Sequence, residues 1–422
     1  MSTYARYFNT YAEYEASDVY NASYPVVVYI GEDKVIATNE TNAPLITLAH
    51  NFSWIPASRD YMTVSDVAAV TTIPNTYPGF AGYSLLTSFR EFRYFTGVTS
   101  ITDQLFFGCT NLEYIELPKT ITSIGEKAFT GCSKLKIINI PNTVTTISQE
   151  AFENCSQLQE LSIPSSVTSI GYMLCYNCSS LSSVNIKTTN ITEIPYKAFS
   201  YCTSLVDVNI SYTVTEIAEE AFSYCTSLKN ISIPKISNLP SATTTFGDKC
   251  FCGCSQLEYF NIPDSTTTLG EEMFSGCTNL KNVGFIQKTY YDFSDAKLTT
   301  LSDAIFSGCK SLQTFVMPHS VTTIPAYAFS YCTSLKDVTI SPSITSINMT
   351  AFDNCTSLTD LRIRLTTPPT LTGSFDALHT ITKSLQRIHI PKGSKTDYEH
   401  EWRTIIGSDI QFIEFSNIFN DL

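Results

Sequence analysis

Between Cys109 and Cys355 the apolar positions of the chain fall into one recurring order. An aromatic, once replaced by Cys, is followed three residues later by a Cys and three residues after that by a Leu; aliphatics then alternate with polar residues, often closed by a Pro. Ile124 to Pro141 is the clearest copy, with Ala128, Phe129, Cys132, Leu135, Ile138, Ile140 and Pro141 at the fixed positions. The Cys marks the phase. It recurs at Cys109, Cys132, Cys155, Cys178, Cys202, Cys225, Cys254, Cys277, Cys309, Cys332 and Cys355, a period of 23 residues with one step of 24 and two longer steps of 29 and 32. Periods of this length belong to solenoids, where each repeat is one coil stacked on the next.

A single coil can be read physically. Ile138 and Ile140 alternate as a strand does, and Leu135 sits at the bend leading into them, so all three face inward. Pro141 lacks an N–H and ends the pairing, Asn142 opens a turn, and Val144 with Ile147 form a second extended piece on the opposite wall. A helical turn follows, carrying Ala151 and Phe152 inward. It closes at a position suited to the left-handed conformation, filled by Asn154 here and by Gly108, Gly131, Gly253, Gly276 and Gly308 elsewhere. Tyr201, Tyr224 and Tyr331 depart from that rule; either they are strained or the turn ends differently there. Each coil presents about seven apolar or small groups inward, each worth roughly 1.5–3 kcal/mol once buried. Only neighbouring coils can bury them, so the ends need caps.

The pattern therefore predicts an α/β solenoid of about eleven full repeats over residues 101–364. Residues 86–100 serve as linker and N-terminal cap, where Phe89, Phe92 and Tyr94 imitate the strand spacing. Residues 365–422 form a degenerate repeat, with Leu385, Ile388, Ile390 and Pro391 as its strand, and a C-terminal cap carrying Trp402, Phe412 and Phe415. Residues 1–85 lack the repeat and read as a small β-rich domain. Pro25–Ile30, a Gly31-Glu32-Asp33 turn and Lys34–Ala37 make a hairpin, with Pro44–Ala49 as a third strand. The spacing of Tyr4, Tyr7, Phe8, Tyr11 and Tyr14 suggests a short amphipathic helix, either a core-facing stripe or a surface that docks on another protein or on further copies of the chain.

Charge and cysteine usage narrow the function classes. With 26 basic and 39 acidic residues the net charge is −13, which repels a phosphate backbone and excludes nucleic acid as a partner. No apolar h-region follows Met1, so no secretory signal peptide is expected. The longest apolar run, Tyr24–Ile30, has the length of one strand, so membrane insertion is not expected. Eleven of the fourteen cysteines fall in the repeat column. Stacked coils put neighbours about 4.8 Å apart, but parallel Cβ vectors suit a disulfide poorly, so free thiols are expected. Cys175-x-x-Cys178 and Cys250-x-Cys252-x-Cys254 have metal-like spacing. The register instead puts Cys175 on the Phe position, Cys250 on the Ala position, and Cys178 and Cys254 in the column. His50, His319, His379, His389 and His400 are scattered. With no P-loop, dinucleotide fingerprint or H-E-x-x-H motif, no enzyme activity, cofactor or metal is expected.

Recognition remains. The outward positions of the sheet form two columns, among them Tyr114, Asp207, Tyr259, Asp337, Asp360 and Arg387 in one and Glu116, Asn209, Asn261, Arg362 and His389 in the other. Small polar and acidic residues dominate, with few of the aromatic or Arg anchors typical of tight interfaces, so a plain solvated face competes with a binding face. Two insertions, Lys235–Thr245 and Gln287–Lys297, break the period, and Tyr290, Tyr291 and Phe293 make the second an aromatic loop. Insertions in solenoids go to loops that often bind. The candidate contacts with a protein or a cell-surface glycan are thus Tyr114, Glu116, Asp207, Asn209, Tyr259, Asn261, Tyr290, Tyr291, Phe293, Asp337, Asp360 and Arg362.

The combination Val-Thr-x-Ile, Ala-Phe, Cys-x-x-Leu and Ile-x-Ile-Pro, as in Val144–Pro164, resembles the BspA-like subclass of leucine-rich repeats. The match covers about two thirds of the chain in eleven copies. It implies a right-handed, curved solenoid with a parallel sheet on its concave side, in a family of adhesion and protein-binding surfaces from gut bacteria and mucosal protists. The string Phe8-Asn9-Thr10-x-x-Glu13-Tyr14-Glu15-Ala16, with Tyr24-Pro25 and Gly31–Val35, is similar to the start of virion proteins from phages of gut Bacteroidales. That second resemblance implies a fibre, decoration or host-attachment component. It would be assembled in the host cytoplasm, where thiols stay reduced, and would dock on other virion proteins, or on itself as a homo-oligomer, through residues 1–85. The alternative is a cell-surface adhesin.

Overall fold

Leu161 and Ile163 are buried and Glu160 and Ser162 exposed along the strand Glu160–Ile163, the alternation that the repeat spacing predicts. The computed structural model describes residues 4–8, 26–30, 33–74, 80–231, 233, 244–263, 265–285, 298–373 and 384–415. It divides into two compact units, Met1–Cys178 and Ser179–Leu422, each a β-solenoid of stacked coils at its core.

In the first unit, β1 (Tyr4–Phe8), β2 (Val26–Ile30), β3 (Asp33–Thr38) and β4 (Tyr61–Thr63) form one sheet in that order. The hairpin is present, with Tyr29 opposite Lys34 and Ile30 opposite Asp33. Two expectations are overturned. Tyr4–Phe8 is not helical but lies parallel to β2, from Tyr4 beside Val26 to Phe8 beside Ile30. Aromatic residues favour a pleated edge, and β-rich Val26–Ile30 supplies one; Tyr11 and Tyr14 lie outside the described residues. Pro44–Ala49, expected as a strand, belongs to helix α1 (Asn39–Asn51). Leu45, Ile46, Leu48 and Ala49 are buried at helical spacing. Asn42 breaks the helical backbone with φ −157° and accepts the Leu45 N–H at 3.3 Å. It thus acts as a second N-cap, leaving Pro44 in a first turn where its missing N–H costs nothing.

An aromatic cluster joins this region to the first coils. Phe80 stacks on Phe89 at 5.1 Å and meets Phe106 edge-on at 5.2 Å, while Trp54 meets Phe95 edge-on at 4.9 Å. Phe89, Phe92 and Phe95 are fully buried, on the strand Ser88–Phe89, the 3-10 turn Arg90–Tyr94 and the residue that caps that turn. A Cβ on Gly97 would stand 2.5 Å from the Val70 carbonyl oxygen, so the segment after α2 (Val64–Ala68) presses directly on the coil.

Three walls repeat. In the first unit the inner strands pair in parallel, Ser88 with Tyr114, Tyr114 with Ile137 and Ile137 with Glu160. A second wall pairs Ser100, Ser123, Thr146 and Ser169 in succession. The third wall is built of tight turns. There every other N–H reaches the next coil, Lys127 to Gln149, Phe129 to Ala151 and Gly131 to Glu153 at 2.8–3.1 Å, and the intervening N–H groups close turns on the residue three back. This alternation puts two left-handed residues in each of ten coils; the coil of Cys355 has Asn354 alone, after the 3-10 turn Met349–Phe352. The second is the Gly or Asn position read from the sequence, and Tyr201, Tyr224 and Tyr331 adopt it too, with φ of 58–61°. The first has no sequence signature: Gln104, Lys127, Glu150, Met173, Lys197, Glu220, Lys249, Glu272, Ala304 and Tyr327 all have φ of 51–57°. The left-handed conformation costs such residues roughly 1–2 kcal/mol each, offset by the coil-to-coil hydrogen bonds it directs.

The core column is now explicit. Cys132 Sγ donates to the carbonyl of Phe106 at 3.1 Å, Cys155 to Phe129 at 3.2 Å and Cys178 to Phe152 at 3.0 Å; Cys225, Cys254, Cys277, Cys309, Cys332 and Cys355 repeat the contact in the second unit. The thiol is small, apolar and still a weak donor, so it fits a buried site facing a carbonyl better than Ala or Ser. Burial pushes Cys155 and Cys225 well above the ordinary thiol range and Cys355 up to about 12. None of the fourteen cysteines is in a disulfide. Thiol titration of the denatured, unreduced chain should therefore return close to fourteen, and a count near zero would refute the free-thiol assignment.

The second unit stacks Phe199 on Phe222 at 5.4 Å, Phe222 on Phe251 at 5.6 Å, and onward through Phe274, Phe306, Phe329 and Phe352. Its inner strands Thr314–Val316, Asp337–Ile340, Asp360–Ile363, Arg387–Pro391 and Gln411–Phe415 form one parallel sheet in that order. The end is covered by α3 (Lys395–Ile406). Its Trp402 donates to the Pro369 carbonyl at 3.1 Å and its Tyr398 hydroxyl to the Leu365 carbonyl at 2.9 Å.

Candidate functional site

Of the predicted outward residues that are described, all but the buried Thr339 are exposed or half-buried, and they separate into three environments. In the first unit, Tyr114 is held between Arg90, 5.1 Å above its ring, and Lys136, 5.5 Å away. Lys136 is itself fixed by Glu113 at 2.7 Å, and Glu116 pairs with Arg93. Two cations of this patch, Lys136 and Arg93, are thus matched by carboxylates. The second unit repeats the device with Tyr259, over which Lys281 sits at 5.9 Å while bonding Glu258 at 2.7 Å. Asn261 lies beside Gly284, which leaves room for its amide. Asp207 and Asn209 are exposed on their strand, Asn209 donating to Asn185 at 3.3 Å. Tyr290, Tyr291 and Phe293 lie outside the described residues.

Asp337, Asp360 and Arg362 are brought together. Strand register sets Asp337, Asp360, Arg387 and Gln411 side by side, and beside them Thr339, Arg362, His389 and Ile413. Arg387 grips Asp360 with two parallel hydrogen bonds of 2.7 Å. His389 Nε2 lies 2.7 Å from the same carboxylate, and the Thr359 hydroxyl donates to it at 2.8 Å. The Arg387 guanidinium, helped by His389 and Thr359, holds the Asp360 carboxyl well below the ordinary carboxylate range. Arg362 Nε pairs with Asp337 Oδ2 at 2.9 Å. Here burial dominates and raises the Asp337 carboxyl, against the attraction of Arg362. Asp337 Oδ1 is buried without a hydrogen-bond partner, an arrangement folded proteins rarely keep.

Arg387 and His389 stood in the outward columns but were not singled out. The signal was available: opposite charges occupy successive steps of one column, Asp360 then Arg387, and stacked steps are neighbours. Both guanidinium groups remain substantially exposed, Arg362 at 40 % and Arg387 at 44 % of their side chains. Each is fixed by a carboxylate and keeps further N–H donors for an acceptor outside the chain.

Elsewhere the chemistry is spare. Cys250 and Cys254 are buried and Cys252 half-buried, and among the described residues no group of three His, Cys, Asp or Glu side chains is placed to hold a metal ion. No described helix is long and apolar enough to cross a membrane. A cleft of about 530 Å³ lies beside the C-terminal cap, between Pro368–Leu371 and the α3 residues Asp397, His400, Glu401 and Trp402.

Residues 83–206, 188–295 and 289–404 match the family model for the BspA type leucine rich repeat region. A leucine-rich repeat protein from Bacteroides ovatus is 25% identical, over 78% of this chain and 88% of its own, with a TM-score of 0.55. A leucine rich cell surface protein from Faecalibacterium prausnitzii is 27% identical over 67% of this chain and 86% of its own, with a TM-score of 0.37. None of the curated proteins compared with the chain matches it.

Proposed function

The chain belongs to the BspA type leucine rich repeat family, and on that premise we propose that it is a recognition protein of the cell surface, an adhesin in function. It holds a partner protein on the outer face of its sheet without a catalytic step. What supports this is Arg387, held to Asp360 on the adjacent strand by two hydrogen bonds of 2.7 Å, with Arg362 beside it in ion-pair contact with Asp337. Arg is among the residue types that dominate interface energetics, and a guanidinium fixed in advance loses little entropy when a carboxylate or carbonyl of the partner arrives. The partner class that fits is a protein surface rich in such acceptors.

The test is direct. Full-length chain should bind immobilised extracellular matrix protein or mucin, and Arg362→Ala with Arg387→Ala should weaken that binding at least about tenfold without loss of the folded circular dichroism spectrum. Unchanged affinity in the double variant would remove the sheet face from the function. Antibodies to the chain should label intact cells of the source organism. Recovery of the chain in purified phage particles, and not in the cell envelope, would replace this reading with the virion component implied by Phe8–Ala16.

A further inference from the structure

A second surface, independent of the sheet face, lies on the turn wall of the second unit. Three identical copies of Ala-Phe-Ser-Tyr-Cys-Thr-Ser-Leu, at 198–205, 221–228 and 328–335, put Tyr201, Tyr224 and Tyr331 at the left-handed position that Gly or Asn fills in the other eight copies. Asn154, Asn177 and Asn354 show that a small polar residue meets the backbone demand. The tyrosines are 37, 42 and 53 % exposed, so core packing does not explain them. Bulky residues held in a sparsely populated conformation cluster at functional sites.

Two of them form a built feature. Tyr201 and Tyr224 stack at 4.8 Å and 14°. The Tyr224 ring then lies over Gly253, where any Cβ would stand 2.6 Å from its Cδ1. The row Tyr201–Tyr224–Gly253 therefore fixes both rings before a partner arrives, and rigid tyrosines supply large, amphipathic contact area at little entropic loss. The flanks decide the partner's charge. Lys197 and Lys249 are matched by Glu220 and Glu272, each at 3.4 Å. The exposed Glu219, Asp248 and Glu271, one per successive coil, leave the wall net negative. Glu220 and Glu272 act on Tyr224 itself: Cys252 first, then partial burial, Tyr201 and these two carboxylates raise its hydroxyl above the ordinary value.

We propose that the Tyr201–Tyr224 wall, with Glu219, Asp248 and Glu271, is a docking surface for a Lys/Arg-rich protein segment. Cations are drawn both to the carboxylates and to the aromatic rings.

The probe is a fluorescein-labelled dodecapeptide of alternating Arg and Gly, followed by anisotropy at low salt. Wild-type chain should bind it. Tyr201→Asn with Tyr224→Asn should bind at least about tenfold more weakly at an equal or higher Tm, because Asn relieves the backbone. Glu219→Gln with Glu271→Gln should also weaken binding, and decides the matter if the asparagine pair fails to fold. Glu160→Gln with Asp207→Asn removes the same charge from the sheet face and should leave binding unchanged. Absence of binding by the wild type, wild-type affinity in the tyrosine or glutamate pair, or equal weakening by the sheet-face pair overturns the proposal.

Discussion

Cys225→Asp is expected to open the coils around it, costing on the order of 3–5 kcal/mol, the range for an unpaired buried charge. Cys225 is fully buried, and its Sγ faces the Phe199 carbonyl at 3.2 Å, an oxygen that also accepts the Cys202 N–H at 3.2 Å. A carboxylate there meets an acceptor where the thiol offered a donor. Burial would raise its pKa in the folded state above the unfolded value of about 3.9. The variant is therefore least impaired below that value, and the full penalty appears as pH rises through the folded-state pKa. Asn209→Asp, on an exposed strand position, should stay within about 0.5 kcal/mol of the parent. Urea unfolding of the two variants makes the comparison, and equal effects would mean that the inward and outward assignments are wrong. Because each coil touches chiefly its neighbours, amide exchange in the Cys225 variant should rise first in residues 199–254.

The inward set was legible in the sequence because a solenoid writes its core at a fixed period. Phe129, Cys132, Leu135 and Ile138 need only local spacing to be placed, and their burial follows. Several features carried no such signal. The left-handed residues at Lys127, Glu150 and Met173 are of types that avoid this conformation; coil-to-coil hydrogen bonding imposes it on them. Tyr4–Phe8 owes its strand to Val26–Ile30, a partner distant in sequence. Pro44–Ala49 was read as a strand, yet Pro44 follows the Asn42 cap and so sits where helices accept proline.

The site was half visible for the same reason. Asp337, Asp360 and Arg362 were placed on the outward face by period alone. Arg387 and His389 were placed in the same columns, but that both converge on one carboxylate, Asp360, needs the side-chain geometry of the stacked strands. The cysteine column shows the converse. Its position was evident, but its role as a thiol donor to the preceding coil's Phe carbonyl needs the stacked geometry, since spacing says nothing of which atoms meet.

Phe222→Ala is expected to destabilise by about 3–5 kcal/mol, and the chain itself indicates how to restore part of the loss. Phe222 is fully buried between Phe199 at 5.4 Å and Phe251 at 5.6 Å, with interplanar angles of 17° and 6°. Truncation therefore leaves a cavity facing two rings that belong to different coils. At the corresponding position in the first unit the aromatic is absent: Cys175 stands there, preceded by Leu174 where six of the eleven copies, Phe222's among them, have Ala. Both are fully buried. Leu174 offers side-chain volume that Cys175 lacks, while Leu105, Met273 and Ile305 stand beside an intact Phe, so coupling of the two positions is a matter for measurement. Ala221→Leu with Phe222→Cys copies that pair into the second unit. It should be more stable than Phe222→Cys alone by at least about 1 kcal/mol, a coupling of the size neighbouring core residues show. Urea midpoints of the two single variants and the double variant measure it. A double variant no more stable than Phe222→Cys would show that the Leu174–Cys175 pair is not compensation, and that each coil instead tunes its own spacing to its neighbours.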